Sequence, residues 1–158
     1  MLLLLALSAI DARADEAVGA LAGTWRLISL QSESRDGKVT DLYGSPPLGQ
    51  LIYDAAGHMS VHLLKPDLPK CGSLDRRACP DRQARAAFDN YLGYWGHYTV
   101  DLAKGTVTHV IEGASAPDWV GTTQVRHFRL WGNRLTLTTP LQRVGGRDAV
   151  QRLVWVRD

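Results

Sequence analysis

Eight strand-like runs spread over most of the chain constrain its fold more than any other feature. Each run is rich in Val, Leu, Ile, Thr, Tyr or Trp, the residue types that favour β-strands. The runs lie near residues 23–31, 48–54, 57–64, 94–101, 106–113, 122–130, 134–140 and 149–157. This series of short strands predicts an all-β fold.

The connections between the runs alternate between short and long. The tight turns are residues 55–57, 102–105 and 132–133, and the long loops are 32–47, 65–93, 114–121 and 141–148. In an up-and-down barrel successive connections lie at opposite ends, so the tight turns gather at one end and the long loops at the other. We therefore predict an eight-stranded antiparallel up-and-down β-barrel, whose interior holds packed side chains or one small ligand.

One helix is predicted inside the longest loop, over residues 80–93. Pro80 suits a first helical position, and Gly93 suits a C-terminal cap. The apolar residues between them follow helical spacing and are Ala84, Ala87, Phe88, Tyr91 and Leu92. Because the long loops ring the open end of the predicted barrel, we expect this helix to act as its lid.

Composition and charge exclude several classes of partner and cofactor. The 158 residues suit one domain, and 18 basic against 16 acidic residues give a net charge of +2. Because no run of Lys or Arg stands out, we expect no nucleic-acid partner. We find no nucleotide-binding motif and no cluster with metal-ligand spacing, so we predict no cofactor and no metal.

Residues 1–14 are predicted to be a signal peptide. The apolar run from Leu2 to Ile10 is too short to span a membrane, and Ala12-Arg13-Ala14 fits the small-x-small cleavage rule. The mature chain is then residues 15–158, one barrel domain that is periplasmic or secreted. The alternative is an ordinary buried N-terminal helix.

The two cysteines agree with export. Cys71 and Cys79 lie in a stretch that contains Pro and Gly, and an even count in an oxidising compartment suggests one disulfide that closes a short loop. Two free thiols are the alternative.

Strand parity predicts which side chains face the barrel interior. A three-residue loop with Gly57 in the left-handed position pairs Asp54 with His58. The face that carries Tyr53 and Met59 is apolar and must point inward, so His58 points outward. His62 shares that outer face.

The next two hairpins place polar residues among the inward side chains. Parity turns Tyr98 and His109 inward on one hairpin. On the other it turns Arg126, Phe128 and Thr139 inward. If Gly113 pairs with Thr122 across the 114–121 loop, His109 stands opposite Arg126, and Tyr98, His109, Arg126 and Thr139 form a polar belt at one height.

On several motifs the chain resembles the bacterial lipocalin-like domain family of the calycin superfamily. The motifs are Gly23-Thr24-Trp25, Gly57-His58-Met59-Ser60, Tyr94 through Tyr98, Trp119-Val120-Gly121 with Gln124-Val125-Arg126, Gly132 to Leu137, and Leu153-Val154-Trp155. The resemblance covers roughly 21–157 and implies a closed barrel with an internal cavity. It does not imply one activity. In such a barrel Trp25 plugs the closed end, and Arg157 or Arg152 is expected to stack on it.

The favoured function is the binding of a small hydrophobic molecule with one polar or anionic group. The candidate ligand-binding residues are Tyr53, Met59, Tyr98, His109, Trp119, Gln124, Arg126, Phe128 and Thr139. Arg126 with Gln124 would receive the polar group, although an internal bridge that only holds the barrel is as plausible for Arg126. Trp119 at the mouth is either a surface for ligand stacking or a lid contact.

Two other functions are kept as alternatives. In a cofactor-free isomerase or cyclase, His109 would act as general base, and Arg126 with Tyr98 would stabilise an oxyanion. A buried, hydrogen-bonded core histidine is the more ordinary interpretation of His109. The other alternative is a protein-interaction module that acts through the long mouth loops.

Overall fold

The strands alternate inward apolar and outward polar residues and close into an antiparallel β-barrel. The computed structural model describes residues 18–158. The ten strands are β1 (Gly23–Ser34), β2 (Val39–Asp41), β3 (Leu48–Tyr53), β4 (His58–Leu64), β5 (Tyr91–Asp101), β6 (Thr106–Ala114), β7 (Thr123–Trp131), β8 (Arg134–Thr138), β9 (Gln142–Val144) and β10 (Arg147–Arg157). Residues 18–21 are helical and directly precede β1. The α-helix α1 (Asp81–Asp89) and two short 3₁₀ helices, Arg76–Ala78 and Pro117–Trp119, lie in the long loops.

The barrel is closed by eight of these strands. They run in the order β1-β3-β4-β5-β6-β7-β8-β10, and β10 pairs back onto β1. All eight predicted strands are confirmed within a few residues. The short strands β2 and β9, which were not predicted, pair with the mouth ends of β1 and β10.

The interior is filled by the inward side chains that the hairpin parity predicts. Tyr53 pairs with Met59 across the first tight turn, and both side chains are buried. Leu130 pairs with Leu135 across the third tight turn. The outer-face assignment is also confirmed, since His58 and His62 are exposed.

The closed end is plugged by Trp25, as predicted. Its indole is fully buried, and Nε1 donates a hydrogen bond to the carbonyl of Leu21 at 2.9 Å. The Arg157 guanidinium stacks on this indole with its central carbon 4.2 Å from the ring centre. Arg157 also donates to the carbonyls of Ala20 and Ala22, which ties the last strand to the segment before the first.

Gly23 is needed at this end for two reasons. Its φ of 144° lies in a region that side-chain-bearing residues rarely adopt. A Cβ at this position would also lie 2.7 Å from a guanidinium nitrogen of Arg157. The glycine therefore lets the guanidinium reach the indole.

The helix α1 is shorter than predicted. It ends at Asp89, and the Asn90 side chain donates to the carbonyl of Ala86 at 2.8 Å. The predicted face extended to Tyr91 and Leu92, but these residues begin β5 and pair with β4. These two residues adopt strand rather than helix conformation because their backbone groups then form hydrogen bonds with β4. The helix borders the mouth with Phe88 still 55% exposed.

The loop before α1 contains the predicted cystine. Cys71 and Cys79 are joined by a disulfide, with their Cα atoms 4.8 Å apart. The predicted signal peptide and its cleavage site lie outside the described residues. Over residues 18–158 no helix is long and apolar enough to cross a membrane.

The predicted register between β6 and β7 is wrong by two residues. His109 stands opposite Gln124, and Val107 stands opposite Arg126. The Ile111 N–H donates to the Thr122 carbonyl, and the Gly121 N–H donates to the Ile111 carbonyl, so Thr122 meets Ile111 rather than Gly113. The same side chains still face the interior, but their positions along the barrel axis differ from those predicted.

Candidate functional site

Two neighbouring spaces lie at the open end and inside the barrel. A vestibule of about 490 Å³ lies at the mouth, and an inner cavity of about 30 Å³ lies below it. Leu92, Trp119 and Gln151 line both spaces, so they form the boundary between them. The vestibule has the size of a typical small-molecule pocket, whereas the inner cavity holds a group the size of one or two water molecules.

The vestibule is built from the long loops at the mouth. Its wall comes from the end of α1, the β2–β3 loop, the loop around the Pro117–Trp119 helix, and the β9 hairpin. Its aromatic side chains are Tyr43, Phe88, Tyr91 and Trp119. The Trp119 ring packs against Tyr94, with the ring centres 5.6 Å apart. An apolar ligand body therefore meets aromatic surfaces at the mouth.

Below the vestibule His109 is held between two tyrosines. The Tyr53 hydroxyl lies 2.6 Å from Nε2 of His109, and the Tyr94 hydroxyl lies 3.1 Å from Nδ1. Burial, and secondarily the charge of Arg126, lowers the pKa of His109 to about 3. His109 is therefore neutral at physiological pH, with one donor nitrogen and one acceptor nitrogen.

The hydrogen-bond network assigns the tautomer of His109. Tyr53 is fully buried, and in the described part of the chain His109 is its side-chain hydrogen-bond partner. Both tyrosines are buried, but Tyr94 lines the inner cavity, where a further acceptor can reach it, and Tyr53 does not. We therefore assign Tyr53 as the donor to Nε2. Nδ1 then carries the proton and donates to Tyr94. The Tyr94 hydroxyl keeps its own proton for a further acceptor.

Arg126 is a buried cation at the wall of the inner cavity. Its side chain is only 6% exposed, and it donates to the Gln124 side chain at 3.3 Å and to the Val125 carbonyl at 2.9 Å. None of the ion pairs formed within residues 18–158 includes it. The guanidinium also lies close enough to the Tyr94 hydroxyl to donate to it. Because it offers five donors, part of its hydrogen-bonding capacity is left within residues 18–158. Such a cation attracts an acceptor or an anion.

Trp155 lines the same cavity. Its side chain is fully buried, and its Nε1–H is the one buried side-chain polar group among the described residues that has no hydrogen-bond partner. Burial raises the pKa of the neighbouring lining residue Tyr94, and the Arg126 charge partly offsets that shift. Tyr94 therefore stays protonated. The polar side of the inner cavity is rich in donors.

The structure places the predicted ligand-binding residues at different depths. Trp119 and Gln124 line the vestibule, and Trp119 and Arg126 line the inner cavity. Tyr53 and His109 do not line the inner cavity. His109 is hydrogen-bonded to Tyr94, which does line it, and Tyr53 is hydrogen-bonded to His109. Met59 belongs to the packed core, and Phe128 packs against it. Thr139 is buried and accepts the Gln151 backbone N–H at 2.9 Å.

The predicted polar belt is not assembled. The Tyr98 hydroxyl points to the closed end, where the carbonyls of Asp54 and Val18 lie 2.7 and 3.2 Å away. Burial, and then the Asp54 charge, raises the pKa of Tyr98 to about 12. Both nitrogens of His109 are occupied by tyrosines. The trio His109, Tyr98 and Arg126 therefore does not converge on one reacting atom, and we do not propose a catalytic role for it.

Two residues that sequence reasoning missed belong to the site. Tyr94 follows from parity, because it shares the inward face of β5 with Gly96 and Tyr98. Trp155 stands in a motif of the sequence and shares the inward face of β10 with Leu153. Its missing hydrogen-bond partner is a property of the packed structure, and no pattern in the sequence indicates it.

Comparisons with known proteins match the chain to a described domain family. A family model described as a lipocalin-like domain matches residues 22–158. A 4'-hydroxy-3'-methoxypropiophenone carrier protein of Aspergillus oryzae is 33% identical over 105 residues, which cover 61% of this chain and 94% of that protein. A crystal structure of a lipocalin-like protein from Bacteroides uniformis has a TM-score of 0.46 at 14% identity, covering 89% of this chain and 100% of that one.

Proposed function

The chain belongs to the lipocalin-like domain family, and we propose that it is an exported carrier of a small, mostly apolar molecule with one polar or anionic group. The ligand body would occupy the vestibule against Trp119, and its polar group would face Arg126. The observation that carries this proposal is the buried Arg126, which forms no ion pair within residues 18–158. A structural guanidinium in an apolar interior is costly unless its donors are satisfied.

Size and chemistry of the two spaces support binding rather than catalysis. The vestibule has the volume of a small-molecule pocket and aromatic walls. The only histidine that parity turns inward is neutral and enclosed by two tyrosines. A general base needs a pKa near the working pH and reach to the substrate, and His109 has neither.

The relative from Aspergillus oryzae supports the same function. Its name describes a carrier of an aromatic ketone. Such a molecule combines an apolar ring with oxygen acceptors, which suits the aromatic vestibule and the donors beneath it. We therefore propose an aromatic carbonyl compound as the ligand class to test first.

The test is mass spectrometry of small molecules that co-purify with the protein from its native host. The wild-type protein is expected to retain one aromatic or otherwise apolar compound that bears an oxygen group, and Arg126→Met is expected to lose it. Arg129→Met is the matched control, because Arg129 is exposed on the same strand. Titration with 4'-hydroxy-3'-methoxypropiophenone, followed by tryptophan fluorescence, provides a defined probe. Identical compounds on wild type and Arg126→Met would argue against the proposal.

A further inference from the structure

The unpartnered Nε1–H of Trp155 is the least explained polar group in the described part of the barrel. The indole is fully buried, and it lines the inner cavity. A buried donor without an acceptor destabilises the fold, because it has lost its bond to water and gained none in return. Native proteins keep few such groups, and those that persist need a bound water, a ligand or another role to explain them.

A second donor lines the same cavity. The tautomer of His109 leaves the Tyr94 hydroxyl accepting from Nδ1, with its own proton unused. Tyr94 lines the inner cavity, whereas Tyr53, whose proton is bound by His109, lies behind it. Two residues that carry neutral donors, Tyr94 on β5 and Trp155 on β10, therefore line one small cavity.

The nearby side-chain acceptors are already engaged. The Gln124 carbonyl oxygen accepts from Arg126 at 3.3 Å, and the Gln151 carbonyl oxygen accepts from Gln142 at 3.4 Å. Each of these oxygens already holds one donor, whereas the Trp155 N–H holds no acceptor within the described residues. A ligand acceptor would satisfy that N–H, and a ligand donor would not.

We propose that Trp155 Nε1–H and the Tyr94 hydroxyl bind an acceptor oxygen of a carbonyl-type group, inserted into the inner cavity while the ligand body stays in the vestibule. This inference rests on the proposed carrier function and names the ligand group that the cavity selects. The cavity of about 30 Å³ fits an oxygen-bearing group but no aromatic ring. The neighbouring Arg126 adds positive charge, so the oxygen belongs either to a neutral ketone or to a carboxylate.

Three probes distinguish a ketone from a carboxylate as the group that binds. They share a ring and a three-carbon chain and differ only in the oxygen group. Propiophenone carries a ketone oxygen, 3-phenylpropanoate carries a carboxylate, and propylbenzene carries no oxygen. A site built around buried donors rejects an analogue that lacks the acceptor. We expect propylbenzene to bind the wild-type protein about tenfold more weakly than the better of the two oxygen-bearing probes.

The variants Trp155→Phe and Tyr94→Phe remove one donor each and keep an aromatic ring. Each is expected to reduce the affinity for the oxygen-bearing probe about tenfold and to leave propylbenzene binding unchanged. Trp131→Phe is the control, because Trp131 is 88% exposed. A second measurement needs no altered core: in protein labelled with ¹⁵N-tryptophan, the Trp155 indole proton should shift downfield with the oxygen-bearing probe and not with propylbenzene.

The outcomes separate the two proposals. If the probes bind but oxygen gives no advantage and the Trp155 indole proton does not respond, the acceptor site is wrong and the carrier function stands. The same conclusion follows if Trp155→Phe weakens all three probes equally. If none of the three binds the wild-type protein, the carrier proposal fails and the acceptor site fails with it.

Discussion

The Tyr53 hydroxyl lies 2.6 Å from Nε2 of His109, and both side chains are buried. This contact fixes the neutral tautomer of the histidine and decides which tyrosine proton remains for the cavity. Tyr53 and His109 thereby set the hydrogen-bonding character of the inner cavity, which they do not line themselves.

The neutral His109 makes the stability of the barrel depend on pH. An unfolded histidine titrates near 6.5, whereas burial, with the Arg126 charge, lowers the folded pKa to about 3. Between these values the unfolded chain binds more protons, so stability falls as the pH falls. This one group predicts a loss of about 2 kcal/mol in the free energy of unfolding between pH 7 and pH 5.

Denaturant unfolding at the two pH values measures this loss. The variant His109→Gln cannot take up the proton, so its pH dependence should be smaller than that of the wild type by about 2 kcal/mol. His127→Gln is the control, because His127 is exposed. An unchanged pH dependence in His109→Gln would show that His109 is not held neutral by the fold.

The plug at the closed end predicts a large stability loss for Trp25→Ala. The indole is fully buried and stacked under Arg157, so its removal should cost about 3–5 kcal/mol in the free energy of unfolding. Trp131→Ala, at an 88% exposed site, should change stability by less than about 0.5 kcal/mol. A loss below about 1 kcal/mol for Trp25→Ala would be incompatible with a plug.

Export and the disulfide are tested together by intact mass. We expect protein secreted by its native host to begin at Asp15, after cleavage at Ala14, and to lack the two hydrogens removed when Cys71 and Cys79 join. Reduction with a thiol should restore that mass difference without changing the N-terminus. A full-length product with two free thiols would contradict both expectations.

The hairpins show how much of the fold could be predicted from the sequence. A tight turn fixes register, so the pairs Tyr53–Met59 and Leu130–Leu135 follow from turn length alone. The loop between β6 and β7 has no such constraint. There the Ile111 backbone bonds to residues 121 and 122, so Thr122 meets Ile111 rather than Gly113 and the register shifts by two residues.

The sequence predicts the site less completely than the fold, because the site depends on heights and hydroxyl directions that no tight turn fixes. Parity turns Arg126, Gln124 and His109 inward, but it does not give their heights or the direction of a hydroxyl. The position of Tyr98 illustrates this, since its ring faces inward while its hydroxyl bonds to carbonyls at the closed end. Hydrogen-bond partners depend on the packed interior and not on alternation along a strand.

The most direct test of the carrier account is calorimetric titration of the wild type and Arg126→Met with propiophenone and 3-phenylpropanoate. Methionine keeps much of the stem volume and removes the buried charge. We predict that the oxygen-bearing probe that the wild type prefers binds Arg126→Met more weakly by about 2 kcal/mol or more, while the variant stays folded and Arg129→Met binds as the wild type does. Equal affinities in the wild type and Arg126→Met would contradict the account.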